Sequence, residues 1–258
     1  MRRDFHMHPR IVQRPEWIEE FVRVAVSKNI KEICVTDHMP LSVSKASDRI
    51  PHGMVGEYCR RVRELAKRYE DVISIRLGIE VDYHPESLGE IDAVLSAGEF
   101  DYILASSHVH VFLKKFEKYT FNDFAAVALE NSIRAAEDGR FDIITHPDQF
   151  RWVFGLPTRF PFVDDGYAPE RHRDLWEQLF DTVLKKEMRL ELNPHLAESK
   201  GDVSYVYPQD TVAVWALERG VRFSYGSDAH VPESVGAFLD ELETHPTYGI
   251  ALREWENV

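Results

Sequence analysis

Ile73-Ser74-Ile75-Arg76-Leu77-Gly78-Ile79-Glu80-Val81-Asp82 is an apolar run of strand length that ends in two carboxylates. The same pattern, a short apolar run followed at once by ligand-type side chains, recurs along the chain. Ile33-Cys34-Val35 leads into Thr36-Asp37-His38, Tyr102 to Ala105 into Ser106-Ser107-His108-Val109-His110, and Asp142-Ile143-Ile144 into Thr145-His146-Pro147-Asp148. Arg189 to Leu192 ends in Glu191-Leu192-Asn193, and Val221 to Tyr225 runs into Gly226-Ser227-Asp228-Ala229-His230. Arg3 to Phe5, followed by His6-Met7-His8, reads as a first strand. Runs this short and apolar predict buried strands.

Amphipathic segments separate them. Trp17, Ile18, Phe21, Val22 and Ala25 recur at helical spacing behind Pro15, and proline suits the first turn of a helix. Similar patterns cover Tyr58 to Tyr69, Phe124 to Ala136, Leu175 to Leu184 and Val212 to Leu217, the last between Pro208 and Gly220. Strands alternating with helices imply parallel βαβ units, and about seven of them in one domain predict an α/β chain folded as a closed or nearly closed barrel. An open doubly wound sheet is the alternative. Residues 1–258 are read as a single domain, a length that suits such a barrel. Phe150 to Ala168, rich in aromatics, Pro and Arg, is too long for an ordinary connection and is a candidate substrate lid.

The charge balance of 31 Lys and Arg against 44 Asp and Glu, −13 in all, argues against nucleic acid or an anionic membrane as the main partner. Cys34 and Cys59 are the only cysteines; they read as core or helix residues in a reducing compartment. No apolar signal core follows Met1-Arg2-Arg3, and no run approaches a membrane span, so a cytoplasmic location is expected.

In a parallel barrel the C-terminal strand ends meet on one face, where barrel enzymes carry their sites. Residues at i and i+2 of a strand point the same way, so His6 and His8 can serve one ion, as can Asp228 and His230. Glu80 can bridge two cations. Imidazole mixed with carboxylate suits zinc, manganese or iron better than calcium. Taken singly the pieces are weak. Asp37 reads equally well as a turn cap or as an orienter of a ligand, Ser227 as structural, and His52, His172 and His245 as solvent-exposed. Six histidines and two carboxylates placed just after apolar runs are far harder to explain by chance.

These motifs, in this order, resemble the PHP (polymerase and histidinol phosphatase) superfamily over nearly the whole chain. The resemblance implies a distorted (β/α)7 barrel with two or three divalent metal ions. It assigns His6, His8, Glu80 and Asp228 to one ion, Glu80, His108 and His146 to a second, and His38 and His230 to a third. Glu80, Asp228 and His230 are its catalytic candidates. It implies hydrolysis of a small phosphate monoester by metal-activated hydroxide, without a protein nucleophile, L-histidinol phosphate being the leading substrate. Arg151, Arg159, His195 and Lys200 are candidates for holding the substrate.

Two departures stand out. Family members usually supply an Asp or His in the loop after the second histidine, whereas Pro9-Arg10-Ile11-Val12-Gln13-Arg14-Pro15 has neither, leaving the third ion short of a ligand or replaced by the charge of Arg10 or Arg14. Pro194-His195 also stands where histidinol phosphatases commonly have a small and a basic residue. A nucleotide phosphatase or phosphodiesterase is the nearest alternative. A zinc amidohydrolase is less favoured, since no lysine stands in any strand-end motif, as is a non-catalytic PHP module.

Overall fold

The computed structural model describes residues 1–44, 46–112, 120–154 and 167–256. Seven strands follow one another in space as they do in sequence. They are β1 (Arg3–Asp4), β2 (Glu32–Val35), β3 (Ser74–Asp82), β4 (Tyr102–Ser106), β5 (Ile143–Ile144), β6 (Arg189–Leu192) and β7 (Phe223–Tyr225). Every neighbouring pair is parallel. The seam between β7 and β1 is bridged just beyond the strand ends, where Phe5 N donates to Tyr225 O at 3.0 Å, Asp228 N to His6 O at 2.8 Å and His8 N to Ala229 O at 2.8 Å. The sheet is therefore a nearly closed, distorted (β/α)7 barrel, and the open-sheet alternative is excluded.

The helices are α1 (Ile18–Ser27), α2 (Val55–Arg68), α3 (Leu88–Ser96), α4 (Val109–Phe112), α5 (Phe121–Asp138), α6 (Phe150–Phe154), α7 (Arg173–Lys185), α8 (His195–Lys200), α9 (Asp210–Glu218), α10 (Leu239–Thr244) and α11 (Tyr248–Glu256). Local chemistry sets their ends. Before α5 the Thr120 side chain accepts from Asp123 N and the Asp123 carboxylate from Thr120 N, a reciprocal capping box, and Gly139 closes the helix in the left-handed region at φ 76°. On α1 the buried face is Ile18, Phe21, Val22 and Ala25, as the spacing predicts.

Apolar side chains pack in two places. The main core lies between the sheet and its helices, with Trp176, Phe21, Phe124 and Phe180 fully buried. A smaller cluster of Phe5, Cys34, Leu104 and Ile143 fills the barrel interior. Cys34 is thus core, and Cys59 is half-buried on α2. Asp4 ties the seam together, accepting from Ser227 N at 2.9 Å and Gly236 N at 3.0 Å; burial pushes its carboxyl up to about 6. Among the described residues no helix is long and apolar enough to cross a membrane.

The segment expected to be a lid begins as α6, with Phe150 buried against Phe121 and Tyr167. Residues 155–166, and with them Arg159, lie outside the described residues. His52 is exposed as expected. His172 and His245 are instead half-buried, because each ring stacks on a tyrosine, His172 on Tyr167 and His245 on Tyr248.

Candidate metal centre

Strand ends deliver the donors. Glu80 points inward from β3, and in register it lies beside Leu104 of β4. Its Oε2 is 2.5 Å from His38 Nδ1 and 3.5 Å from both His6 Nε2 and His8 Nε2. Its Oε1 is 3.0 Å from His146 Nε2 and 3.9 Å from His108 Nε2. One fully buried carboxylate therefore lies within 3.9 Å of five imidazoles. Asp228 faces the same space, 3.1 Å from His8 Nε2 and 3.7 Å from His6 Nε2.

Two of these donor positions require unusual backbone. His146 adopts φ 26° and Asp228 φ 55°, values that cost non-glycine residues roughly 1–3 kcal/mol and persist where a side chain must be aimed.

A surrounding layer of acids orients the imidazoles. Glu191 takes His6 Nδ1 at 2.7 Å and the His146 backbone N–H at 2.9 Å. Asp82 holds His108 Nδ1 at 2.8 Å and is itself clasped by both terminal nitrogens of Arg49. Asp37 accepts from Arg10 N at 2.8 Å and Ile11 N at 2.9 Å, which settles its role as the anchor of the loop after His8. Glu191 and Asp82 stand inside the motifs that the sequence singles out, yet only their partners show that they act through histidines.

The electrostatics are those of donors in competition for protons. Burial presses His8 well below its ordinary value, and nearby His38 and His230 add to this. Burial also opposes charge on His6, but Glu191, Asp228 and Glu80 together hold it well above. Burial would raise Glu80, yet His38 and His6 keep it well below the usual carboxylate range. His8 Nδ1 is buried without a hydrogen-bond partner, and such an atom costs about 1–3 kcal/mol when left unsatisfied. Lone pairs converging in this way, from imidazole and carboxylate, fit divalent metal ions. The donor atoms of His6, His8 and Asp228 lie within 4.8 Å of one another, as do those of His6, Glu80 and His146, of His8, His38 and His230, and of His195, Asp228 and His230.

The substrate candidates are less concentrated. His195 lies at the cluster, its ring centroid 5.5 Å from that of His230. Arg151 is engaged by the Asp148 carboxylate at 2.9 Å, by Val206 O and by the face of Tyr207. Lys200 is exposed at the far end of α8, roughly 7 Å of helix rise beyond His195. Arg14 stacks over Trp17.

The PHP domain family matches residues 4–195. The chain belongs to the PHP family. Among relatives of this PHP protein, a probable histidinol-phosphatase of Deinococcus radiodurans is 28% identical over 255 residues, covering 93% of this chain and 91% of that one. The histidinol-phosphatase of Lactococcus lactis is 21% identical over 88% of this chain and 84% of its own length. Two crystal structures share the fold. The hisK protein of Listeria monocytogenes superposes with TM-score 0.76 at 18% identity, covering 93% of this chain and 99% of that one. The Lactococcus lactis histidinol phosphate phosphatase, solved with zinc, L-histidinol and phosphate, gives TM-score 0.71 at 18% identity over 91% and 89% of the two chains.

Proposed function

We propose that this PHP protein is a metal-dependent phosphatase that hydrolyses L-histidinol phosphate to L-histidinol and phosphate. The observation that carries the reading is Glu80, one buried carboxylate with five imidazoles around it. Support for the substrate comes from relatives named histidinol-phosphatase that align over most of both chains. His6, His8, Glu80 and Asp228 would hold one ion and Glu80, His108 and His146 a second. When bound, such ions supply Lewis acidity that activates water and neutralises phosphoryl oxygens. The chain's own residues do the remainder. Glu191 and Asp82 fix the faces of His6 and His108, and the strained backbone at His146 and Asp228 aims their side chains. Residues 1–258 act as one unit in this reading, with α11 packed on β7 and α9.

The test is phosphate release from L-histidinol phosphate, nucleotide monophosphates and bisphosphates after metal stripping and readdition of zinc, manganese or iron. Selective, metal-dependent turnover of histidinol phosphate is expected. Preference for another ester would keep the chemistry and replace the substrate, and no turnover of any ester would overturn the reading.

A further inference from the structure

We propose that His195 is a metal ligand, joining Asp228 and His230 to hold a third cation. The purpose of that ion rests on the phosphatase reading, but the geometry stands without it.

The loop after His8 brings no acid and no histidine between Pro9 and Pro15. Asp37, the carboxylate nearest that loop, has one oxygen on Arg10 N and the other on Ile11 N. A third ion on this side therefore lacks an oxygen donor.

Across the mouth, α8 presents a nitrogen donor in its place, His195. His195 N donates to Asn193 Oδ1 at 2.9 Å, while Asn193 Nδ2 donates to Glu191 Oε2 at 3.0 Å and lies 3.3 Å from Asp228 Oδ2. A single amide side chain thus couples the backbone of His195 to the carboxylate of Asp228. His230 is fixed as well, since its Nδ1 lies 2.9 Å from the Asp228 carbonyl. A carbonyl only accepts, so this contact puts the proton on Nδ1 and leaves the Nε2 lone pair for a cation. His195 Nδ1 is buried and has no hydrogen-bond partner. Donor atoms of His195, Asp228 and His230 come within 4.8 Å of one another, and two nitrogens with one oxygen suit zinc, manganese or iron. A neutral imidazole in place of a carboxylate also leaves the mouth one charge more positive, which favours a phosphate dianion.

The experiment counts bound metal without substrate. Wild-type protein, His195→Ala and His195→Gln are stripped, dialysed against zinc, and assayed by elemental analysis; cobalt absorption spectra are recorded in parallel. Three equivalents are expected in the wild type and two in each variant, with part of the cobalt spectrum lost and restored in His195→Ala by added imidazole. Two equivalents in the wild type overturn the proposal whether or not the variants fold. Three equivalents in a folded variant, with a raised KM, overturn it in favour of a substrate contact. Because the count needs no turnover, a chain that holds three ions and cleaves no ester sinks only the phosphatase reading, and one that cleaves histidinol phosphate with two ions sinks only this proposal.

Discussion

Glu191 grips His6 through a 2.7 Å contact from its Oε1 to the imidazole Nδ1, while its other oxygen accepts the His146 backbone N–H at 2.9 Å. One carboxylate thus sets the orientation of a histidine from the first strand and the backbone of another from the fifth. Acids that orient ligating histidines typically contribute 10-fold to 100-fold, approximately, in metal affinity or activity. Glu191→Gln, which keeps the size but removes the charge, is expected to weaken metal binding by about that factor with the circular dichroism spectrum unchanged. Titration with zinc against a competing chelator measures it, and unaltered affinity would remove Glu191 from the site.

Gly226 makes that grip sterically possible. A Cβ at this position would come closer than 3.0 Å to both Glu191 Oε1 and His6 Cβ, so the end of β7 passes where only glycine fits. Gly226→Ala must push Glu191 or His6 aside, a small-to-large change that costs about 1–3 kcal/mol in packed surroundings. The expected result is a lower denaturant midpoint together with reduced metal affinity. A stability loss with metal binding intact would mean that the strand shifts and the carboxylate does not.

The barrel was largely legible from the chain, for a physical reason. Each strand is buried and short, so Ile33 to Val35 or Arg189 to Leu192 announce themselves as apolar runs. Six of the histidines follow those runs directly, and parallel topology alone brings them to one face. Other features could not be read this way. The helices α8 and α10, six residues each, are too short for a helical period to emerge, and it is α8 that carries His195 into the cluster. Arg151 reads in sequence as a candidate for holding the substrate, whereas its pairing with Asp148, three residues before it, shows only in the folded chain. Arg49 gave no signal at all, because its partner Asp82 is 33 residues away and meets it only once β2 and β3 lie side by side.

Removing the shared donor tests the centre itself. Glu80→Gln keeps a hydrogen-bonding group beside His146 but removes the anion that the proposed ions would share, and His108→Ala removes one imidazole. Metal ions contribute several kcal/mol of transition-state stabilisation, about a thousandfold in rate. Phosphate release is expected to fall by that order in each variant, as it should in wild type treated with chelator, and to return only in the chelated wild type on metal readdition. Full activity in both variants would remove these residues from the site.

The pair of Arg49 and Asp82 carries the fold and the site together. Arg49 reaches in from the segment after β2, where its backbone bridges to His38, and both of its terminal nitrogens contact the fully buried Asp82 carboxylate. Asp82 in turn holds His108 Nδ1 at 2.8 Å. Burial alone would raise the Asp82 carboxyl, but Arg49 and His108 keep it well below its ordinary value, so it is ionised in the folded protein. Breaking one side of a buried pair leaves an uncompensated charge and costs about 3–5 kcal/mol. Arg49→Met is therefore expected to lose that much in denaturant unfolding and to weaken metal binding through His108. Adding Asp82→Asn should restore much of the stability, because no buried charge is left, but not the affinity, because the carboxylate behind His108 is gone. If the double variant recovered both, Asp82 would be a structural acid alone.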